Sequence, residues 1–305
     1  MHNKDILGKL IRSKLFITSE ALMSELSRIY SYQNVEIDIP SYADKAKAIA
    51  TKISSDNIKV TTRFSDTNID DNSIALHYIQ GTIYSEYDEY GWYFSTRQFI
   101  DDLDAAEANQ KITGHLFLVE SGGGDAYFLD IASARVKSLT KPSLCFVQGY
   151  CCSAALYLAA YCWKIIANTQ FDTIGSIGTM IAFWDMKPYF EAAGFKWHEH
   201  YASQSILKNK KINDLLDGKP ERFIKEELDP LAAEFIRAVK DARPGTANAP
   251  EALFQGETYY TPQAIEIGLI DGMALIGDAL AMLSSMITDS ENKNQNRLLM
   301  LKLIQ

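Results

Sequence analysis

The apolar positions along the chain fall into two regimes that meet near residue 73. Before it, residues 4 to 32 carry apolar side chains three and four apart, with Ser19 and Glu20 at a second start, and residues 40 to 54 repeat the pattern with Ala43, Ala46, Ala48 and Ile49. That spacing predicts amphipathic helices. The stretch from Ser65 to Asn72 is rich in Asp and Asn and predicts a linker. Beyond it, short apolar runs alternate with helical spacing. Ile74 to Ile79 predicts a strand followed by Gly81, Ser95 to Ala108 a helix, and His115 to Val119 a buried strand. The pattern breaks at Gly122-Gly123-Gly124 and resumes at helical spacing from Ala126 to Ser138. Leu144 to Val147 predicts a second buried strand, Gly149 a turn, Ser153 the start of an apolar helix, and Ile165 to Ala167 a third strand. Residues 220 to 242 predict a long amphipathic helix, ended by Arg243-Pro244-Gly245, and the polar tail from Thr288 closes with a short helix, Leu298 to Ile304.

Strands alternating with short helices imply right-handed βαβ crossovers and a largely parallel sheet, an α/β fold. The expected organisation is a helical N-terminal extension and linker over residues 1–72, an α/β domain over 73–285, and a polar tail with a terminal helix over 286–305.

Composition narrows the function classes. With 47% hydrophobic and 23% charged residues the chain is globular. Its 39 acidic against 30 basic residues give a net charge of -9, which disfavours nucleic acid and anionic membranes as partners. The longest apolar run, Ala154 to Trp163, is about half the ~20 residues of a membrane span. Lys9, Arg12 and Lys14 interrupt the first apolar stretch, so no signal-peptide core is expected. The chain therefore reads as soluble and cytoplasmic. Cys145, Cys151, Cys152 and Cys162 form no C-x-x-C pair and read as reduced, buried small residues. Zinc is disfavoured because His198 and His200 do not stand at finger spacing to them. No cofactor or metal is expected.

Each candidate for chemistry has a bland reading. The triple glycine follows a strand and precedes a helix, which suits an anion or oxyanion, yet alone such a run is more often a tight turn. No phosphate-loop pattern surrounds it. Ser153 sits where a strand–turn–helix would present a nucleophile, but a plain N-cap fits as well. As bases, His115 lies within a strand, while His198 and His200 share one side of a strand period with no evident Asp partner. The alternative is a lysine held neutral by burial, and Lys208, after Ser205-Ile206-Leu207, has the most apolar approach.

Taken in order, Ser121-Gly122-Gly123-Gly124, Gly149-x-x-x-Ser153, Thr173-Ile174-Gly175-Ser176-Ile177-Gly178 and Lys208 resemble the signal peptide peptidase A (protease IV) family of Ser-Lys serine peptidases. The likeness runs over about residues 74 to 283. It ends with Gly256 to Tyr260 and Ala264 to Asp271, which resemble the family's closing segment. The resemblance implies a Clp/crotonase-type fold of repeated βαβ units. It implies Ser153 as nucleophile, Lys208 as general base, Ser176 as the hydroxyl that orients the lysine, and the Gly124 and Ala154 amides as oxyanion hole. Gly122 stands where the family usually has proline, and Ala154-Ala155 replace its usual glycines. Lys210 is an alternative base. The expected function is a serine endopeptidase acting on protein or peptide, with the extended substrate adding to a strand edge. The expected chain is homo-oligomeric, similar to soluble phage proteases that process capsid or scaffold proteins and associate with procapsids. Two other readings compete: a catalytically silent oligomeric assembly protein of the same fold, and an acyl-CoA-binding crotonase-type enzyme.

Overall fold

The structure, a computed structural model, describes residues 15–17, 60–61, 64–88 and 93–304. Its strands are β1 (Leu15–Ile17), β2 (Val60–Thr61), β3 (Ser73–Tyr84), β4 (Phe94–Ser95), β5 (Ile112–Asp125), β6 (Ser143–Cys152), β7 (Lys164–Ala167), β8 (Thr173–Gly175), β9 (Thr258–Tyr260) and β10 (Gly272–Met273). They join one sheet with the central order β10-β7-β6-β5-β3-β2. Every neighbouring pair along that path is parallel. β8 extends the sheet parallel to the end of β6, and β9 pairs antiparallel with β8.

Parallel strands need crossovers, and the helices supply them. They are α1 (Thr96–Ala108), α2 (Leu129–Lys137) and α3 (Ala154–Ala159), followed by α4 (Lys187–Ala192), α5 (Lys210–Leu216), α6 (Asp229–Ala242), α7 (Thr261–Glu266) and α8 (Ile276–Ile304). α1 begins because the Ser95 hydroxyl accepts the Gln98 N–H, and it buries Phe99, Leu103 and Ala106. One π-helical turn, Ile224–Leu228, leads into α6.

The central strands carry unbroken apolar runs because both faces are covered. Along β5, Phe117 and Val119 point to the face packed by α1, α2, α3 and α6. Leu116 and Leu118 point to the other, where Ala279, Leu280 and Leu283 of α8 cover Leu144 and Phe146. The expected α/β domain of βαβ units is therefore what the sheet and its crossovers form.

Three expectations change. The helices read over 4–32 and 40–54 lie outside the described residues, except that Leu15–Ile17 forms a strand. The tail is one helix, α8, and not a polar segment with a separate short helix. No glycine or proline interrupts it after Gly277, and its first turns are anchored in the second core. Finally, the triple glycine does not break β5, which runs through it to Asp125. Gly124 keeps the strand going because β3 passes so close: a Cβ there would lie 2.0 Å from the Ile83 carbonyl oxygen.

At the opposite end of the sheet two buried histidines bridge β3 and β5. His77 Nε2 lies 3.0 Å from His115 Nδ1, and His115 Nε2 lies 3.0 Å from Glu107 Oε1. With Glu107 ionised and both rings neutral, His115 donates to Glu107 and accepts from His77. Burial holds both histidines below their ordinary range, with His115 charge adding to the effect on His77 and the Glu107 hydrogen bond opposing it on His115. Burial would raise Glu107, but hydrogen bonds from His115 and Thr140 outweigh it and bring the carboxyl down to about 2. Both effects have one sign. The unfolded chain binds protons that the folded chain refuses, so stability is lost as pH falls, first below the ordinary histidine pKa near 6.5 and then from 4.5 toward about 2. Melting temperature should fall from pH 7 to pH 5. The slope should flatten in His77→Phe, whose ring keeps the stacking on Phe64 and Phe117. An unchanged slope in that variant would contradict this assignment.

Candidate active site

Ser153 closes β6 and opens α3, and its backbone is held at φ 56°, ψ -122°. A non-glycine residue there is strained by about 1–3 kcal/mol, and such strain persists only where the surroundings enforce it. The enforcement is visible. The Ser153 N–H donates to the Gly175 carbonyl at 2.8 Å, and its carbonyl accepts the Tyr157 N–H at 2.9 Å. The six residues of α3 that follow, Ala-Ala-Leu-Tyr-Leu-Ala, are all buried. The turn is clamped between a strand that cannot slide and a helix that cannot withdraw. The expected Gly149 turn is instead the interior of β6, which continues to Cys152.

The consequence is a serine that is 1% exposed and whose hydroxyl has no hydrogen-bond partner. An N-cap serine would donate or accept within its own helix; Ser153 makes no such bond. The N-cap reading fails on that ground. Ala154, as the first helical residue, has an N–H with no intrahelical acceptor.

Two further segments converge on this turn. β8 carries Gly175 to Ser153, and the next residue, Ser176, has φ 56° with its N–H on the Glu257 carbonyl at 2.8 Å. Gly175 has φ +130°, and a Cβ there would lie 2.5 Å from the Glu257 oxygen, so the glycine of Thr-x-Gly-Ser is required by backbone contact. On the other side, β5 matches Ser121 to Cys151 and then outruns β6, which carries Gly122–Asp125 past the level of Ser153. Ser121 shapes that tip: its hydroxyl donates to the Gly81 carbonyl at 2.5 Å and accepts the Gly123 N–H at 3.1 Å. Buried Asp125 accepts from Ser85 Oγ at 2.5 Å and from the Tyr127 N–H. Burial raises its carboxyl, and those hydrogen bonds oppose the rise.

The fold thus brings Ser153, Ala154, Ser176 and Gly124 to one end of the sheet. Lys208 is exposed in the single chain, with its N–H on the Ser205 carbonyl at 3.0 Å. Lys208 stands before α5 on an exposed stretch, with Ile206 75% and Leu207 60% exposed. No hydrogen bond or ion pair among the described residues joins it to Ser153. Lys210 is paired with Asp214 at 2.8 Å. His198 and His200 share the exposed stretch, stacked on each other. His115 sits six residues before Ser121 on β5, about 20 Å away at strand rise. None of these three described histidines is hydrogen-bonded to Ser153.

One residue that the sequence reasoning passed over supports the site. Asp172, buried, accepts the Gly149, Asn168 and Thr169 N–H groups and the Thr169 hydroxyl, at 3.2, 2.7, 3.0 and 2.8 Å. It fixes the loop that delivers β8. The spacing Asn-Thr-x-x-Asp, with carboxylate and amides three and four apart, is the local signal that could have revealed it. Asp271 of the closing segment is structural too: its carboxylate accepts from Arg243 at 2.8 Å and from the Ile165 N–H at 2.8 Å. The burial cost is outweighed by Arg243 and those hydrogen bonds, which hold its carboxyl low.

These contacts make the glycines distinguishable by substitution. Gly124→Ala drives a methyl into the β3 main chain and should cost at least about 2 kcal/mol. Gly149→Ala meets open space at φ +96° and should cost about 1 kcal/mol from backbone strain alone. Equal losses in chemical denaturation would mean that close β3–β5 approach does not select the glycine.

Residues 135–287, half of the chain, match the family model of peptidase family S49. A protein of Enterococcus faecium described as a signal peptide peptidase SppA is 27% identical over 198 residues, 61% of this chain and 55% of that protein. A protein of Methanocaldococcus jannaschii described as a protease is 23% identical over 248 residues, 75% and 76% of the two chains. The chloroplastic serine protease SPPA of Arabidopsis thaliana is 25% identical over 195 residues, 61% of this chain and 28% of that one. The chain thus spans about half the length of the Enterococcus relative and less of the plant one. Among solved structures, a membrane-bound stomatin-specific protease with a substrate peptide is 16% identical at TM-score 0.42, covering 69% of this chain and 78% of that chain. ClpP1 from Listeria monocytogenes is 12% identical at TM-score 0.40, covering 67% and 94%. The matched segment contains the strained Ser153 turn, Ser176 and the closing Asp271, and with half its length inside the family model the chain belongs to peptidase family S49.

Proposed function

We propose that this protein is a serine endopeptidase in which Ser153 attacks the peptide carbonyl. The observation that carries the reading is the Ser153 turn, a strained backbone holding a buried and unpaired hydroxyl beside a helix start. A hydroxyl kept free of partners is costly to maintain and is available to attack. Gly124 and Ala154 amides stabilise the tetrahedral oxyanion, and no metal is required for that step. Lys208 takes the serine proton, and Ser176 orients the amine.

A lysine serves as base only when neutral, and neutrality requires removal from water. Lys208 is exposed in one chain, on a stretch where every residue from Phe183 to Gln204 is exposed as well. That stretch presents Trp184, Tyr189, Phe190, Phe195 and Trp197 to solvent, and large apolar side chains exposed together mark an interaction surface. Burial of this arm against a second copy gives the base its desolvation and makes the chain homo-oligomeric. The substrate is an extended polypeptide. Processing of phage capsid or scaffold proteins follows the family resemblance alone and is the biological role we assign. No described helix is long and apolar enough to cross a membrane.

The exposed base also favours one competing reading, a silent assembly protein, and a single set of variants separates the two. Casein hydrolysis should fall at least about 1000-fold in Ser153→Ala and in Lys208→Met, with folding intact, while Lys210→Met stays near the parent. Lys208→Arg should fail as well, since guanidinium remains charged. Undiminished hydrolysis in Ser153→Ala would refute the nucleophile, and absence of hydrolysis in the parent would leave the assembly protein. By light scattering at micromolar concentration the parent should be oligomeric, and Trp184→Asp with Phe195→Asp should be smaller and less active. A monomeric, fully active parent would contradict completion of the site by assembly.

A further inference from the structure

β1 occupies an unusual place. Leu15–Ile17 pairs antiparallel with the tip of β5, Leu15 opposite Asp125, Phe16 opposite Gly124 and Ile17 opposite Gly123. On its other edge the β5 tip is already paired, since Thr82 and Ile83 of β3 match Gly123 and Gly124. β1 therefore takes the edge that β6 relinquishes. β6 is matched to β5 as far as Cys151–Ser121, and two residues later the chain leaves the sheet at Ser153. A strand laid on Gly123–Asp125 continues the line of β6 and crosses the mouth of the Ser153 turn. Running antiparallel to β5, it brings Ile17 nearest that turn by register.

On the peptidase reading Gly123–Asp125 is the edge that takes substrate main chain, and we propose that Leu15–Ile17 is an internal strap occupying it. This rests on the peptidase reading for the meaning of the edge, but the strap itself is a statement about pairing. β5 stays in the sheet through its three glycines, with Gly123 at φ 111° and its N–H on the Ser121 hydroxyl, and an incoming extended backbone binds such an edge by main-chain pairing. The occupant indicates the class of ligand, an extended segment of apolar residues, here Leu-Phe-Ile. Being tethered, the strap competes at an effective concentration in the millimolar range. Weakly bound substrates are excluded until the strap is displaced.

The test uses the full chain with and without Phe16→Pro, which locks φ away from the extended-strand range at the centre of the pairing. Both forms are made in a Ser153→Ala background for binding and with Ser153 present for turnover. A fluorescent peptide of residues 12–20 should bind the Phe16→Pro chain about ten-fold tighter than its parent, because the tethered competitor is gone. Amide exchange at Gly123–Asp125 should quicken in the same variant, while exchange in β6 and α3 stays slow and reports an intact fold. With Ser153 present, KM for casein should fall with kcat unchanged. Equal peptide affinity with unchanged exchange at Gly123–Asp125 would overturn the strap, and so would an active variant whose KM equals the parent's. If the peptide binds tighter and exchange quickens but neither form hydrolyses casein, the strap stands and the peptidase reading is what fails.

Discussion

The main-chain clamp on Ser153 is the constraint from which the rest of the site follows. One bond runs from its N–H to Gly175 and one from Tyr157 to its carbonyl, so the residue is tied to β8 on one side and to a buried helix on the other. Each tie depends on a further layer. β8 is delivered by the loop that Asp172 gathers, and that loop is anchored in turn by the Thr261 hydroxyl on the Thr169 carbonyl at 2.6 Å. α3 stays in place because Leu156 and Leu158 are fully buried, each contributing about 2 kcal/mol of transfer free energy. That burial exceeds the strain of about 1–3 kcal/mol in the turn, so the sheet can sustain an unfavourable conformation at its edge.

The same economy of backbone explains the glycines. Gly124 and Gly175 stand where two main chains approach too closely for a methyl group, and both approaches flank Ser153. Chemistry at this end of the sheet therefore relies on backbone groups whose positions are fixed by sterics. The side chain expected to act as base is treated in the opposite way. Lys208 lies on an exposed arm rich in large apolar side chains, whereas the Ser153 turn is buried.

Much of this was legible in the sequence because burial on two faces produces continuous apolar runs. Ile74–Ile79, His115–Val119, Leu144–Val147 and Ile165–Ala167 all lie within strands, and Thr96–Ala108 is a helix with its expected start. Ser153 was legible as a strand–turn–helix position, and Ser176 through its Thr-x-Gly-Ser setting. The failures have physical causes. Gly122-Gly123-Gly124 reads as a turn by propensity, whereas tertiary pairing with β3 keeps it in the sheet. Leu15–Ile17 fits a helical period, but the open edge of β5 selects a strand. α8 was divided because its exposed middle is polar, and a solvent-facing helix needs only the anchors at its first turns. Asp172 and the His77–His115–Glu107 bridge were missed because their partners are backbone groups or distant residues that carry no pattern.

The most direct test of the central claim is chemical. A fluorophosphonate captures a serine only when its hydroxyl is nucleophilic and an oxyanion hole receives the developing charge. The chain should be labelled once, and peptide mapping by mass spectrometry should place the adduct on Ser153, with Ser121 and Ser176 unmodified. Labelling should disappear on denaturation, which releases the strained turn. An adduct on any other serine, or no adduct in the folded chain under conditions where casein is hydrolysed, would contradict the account.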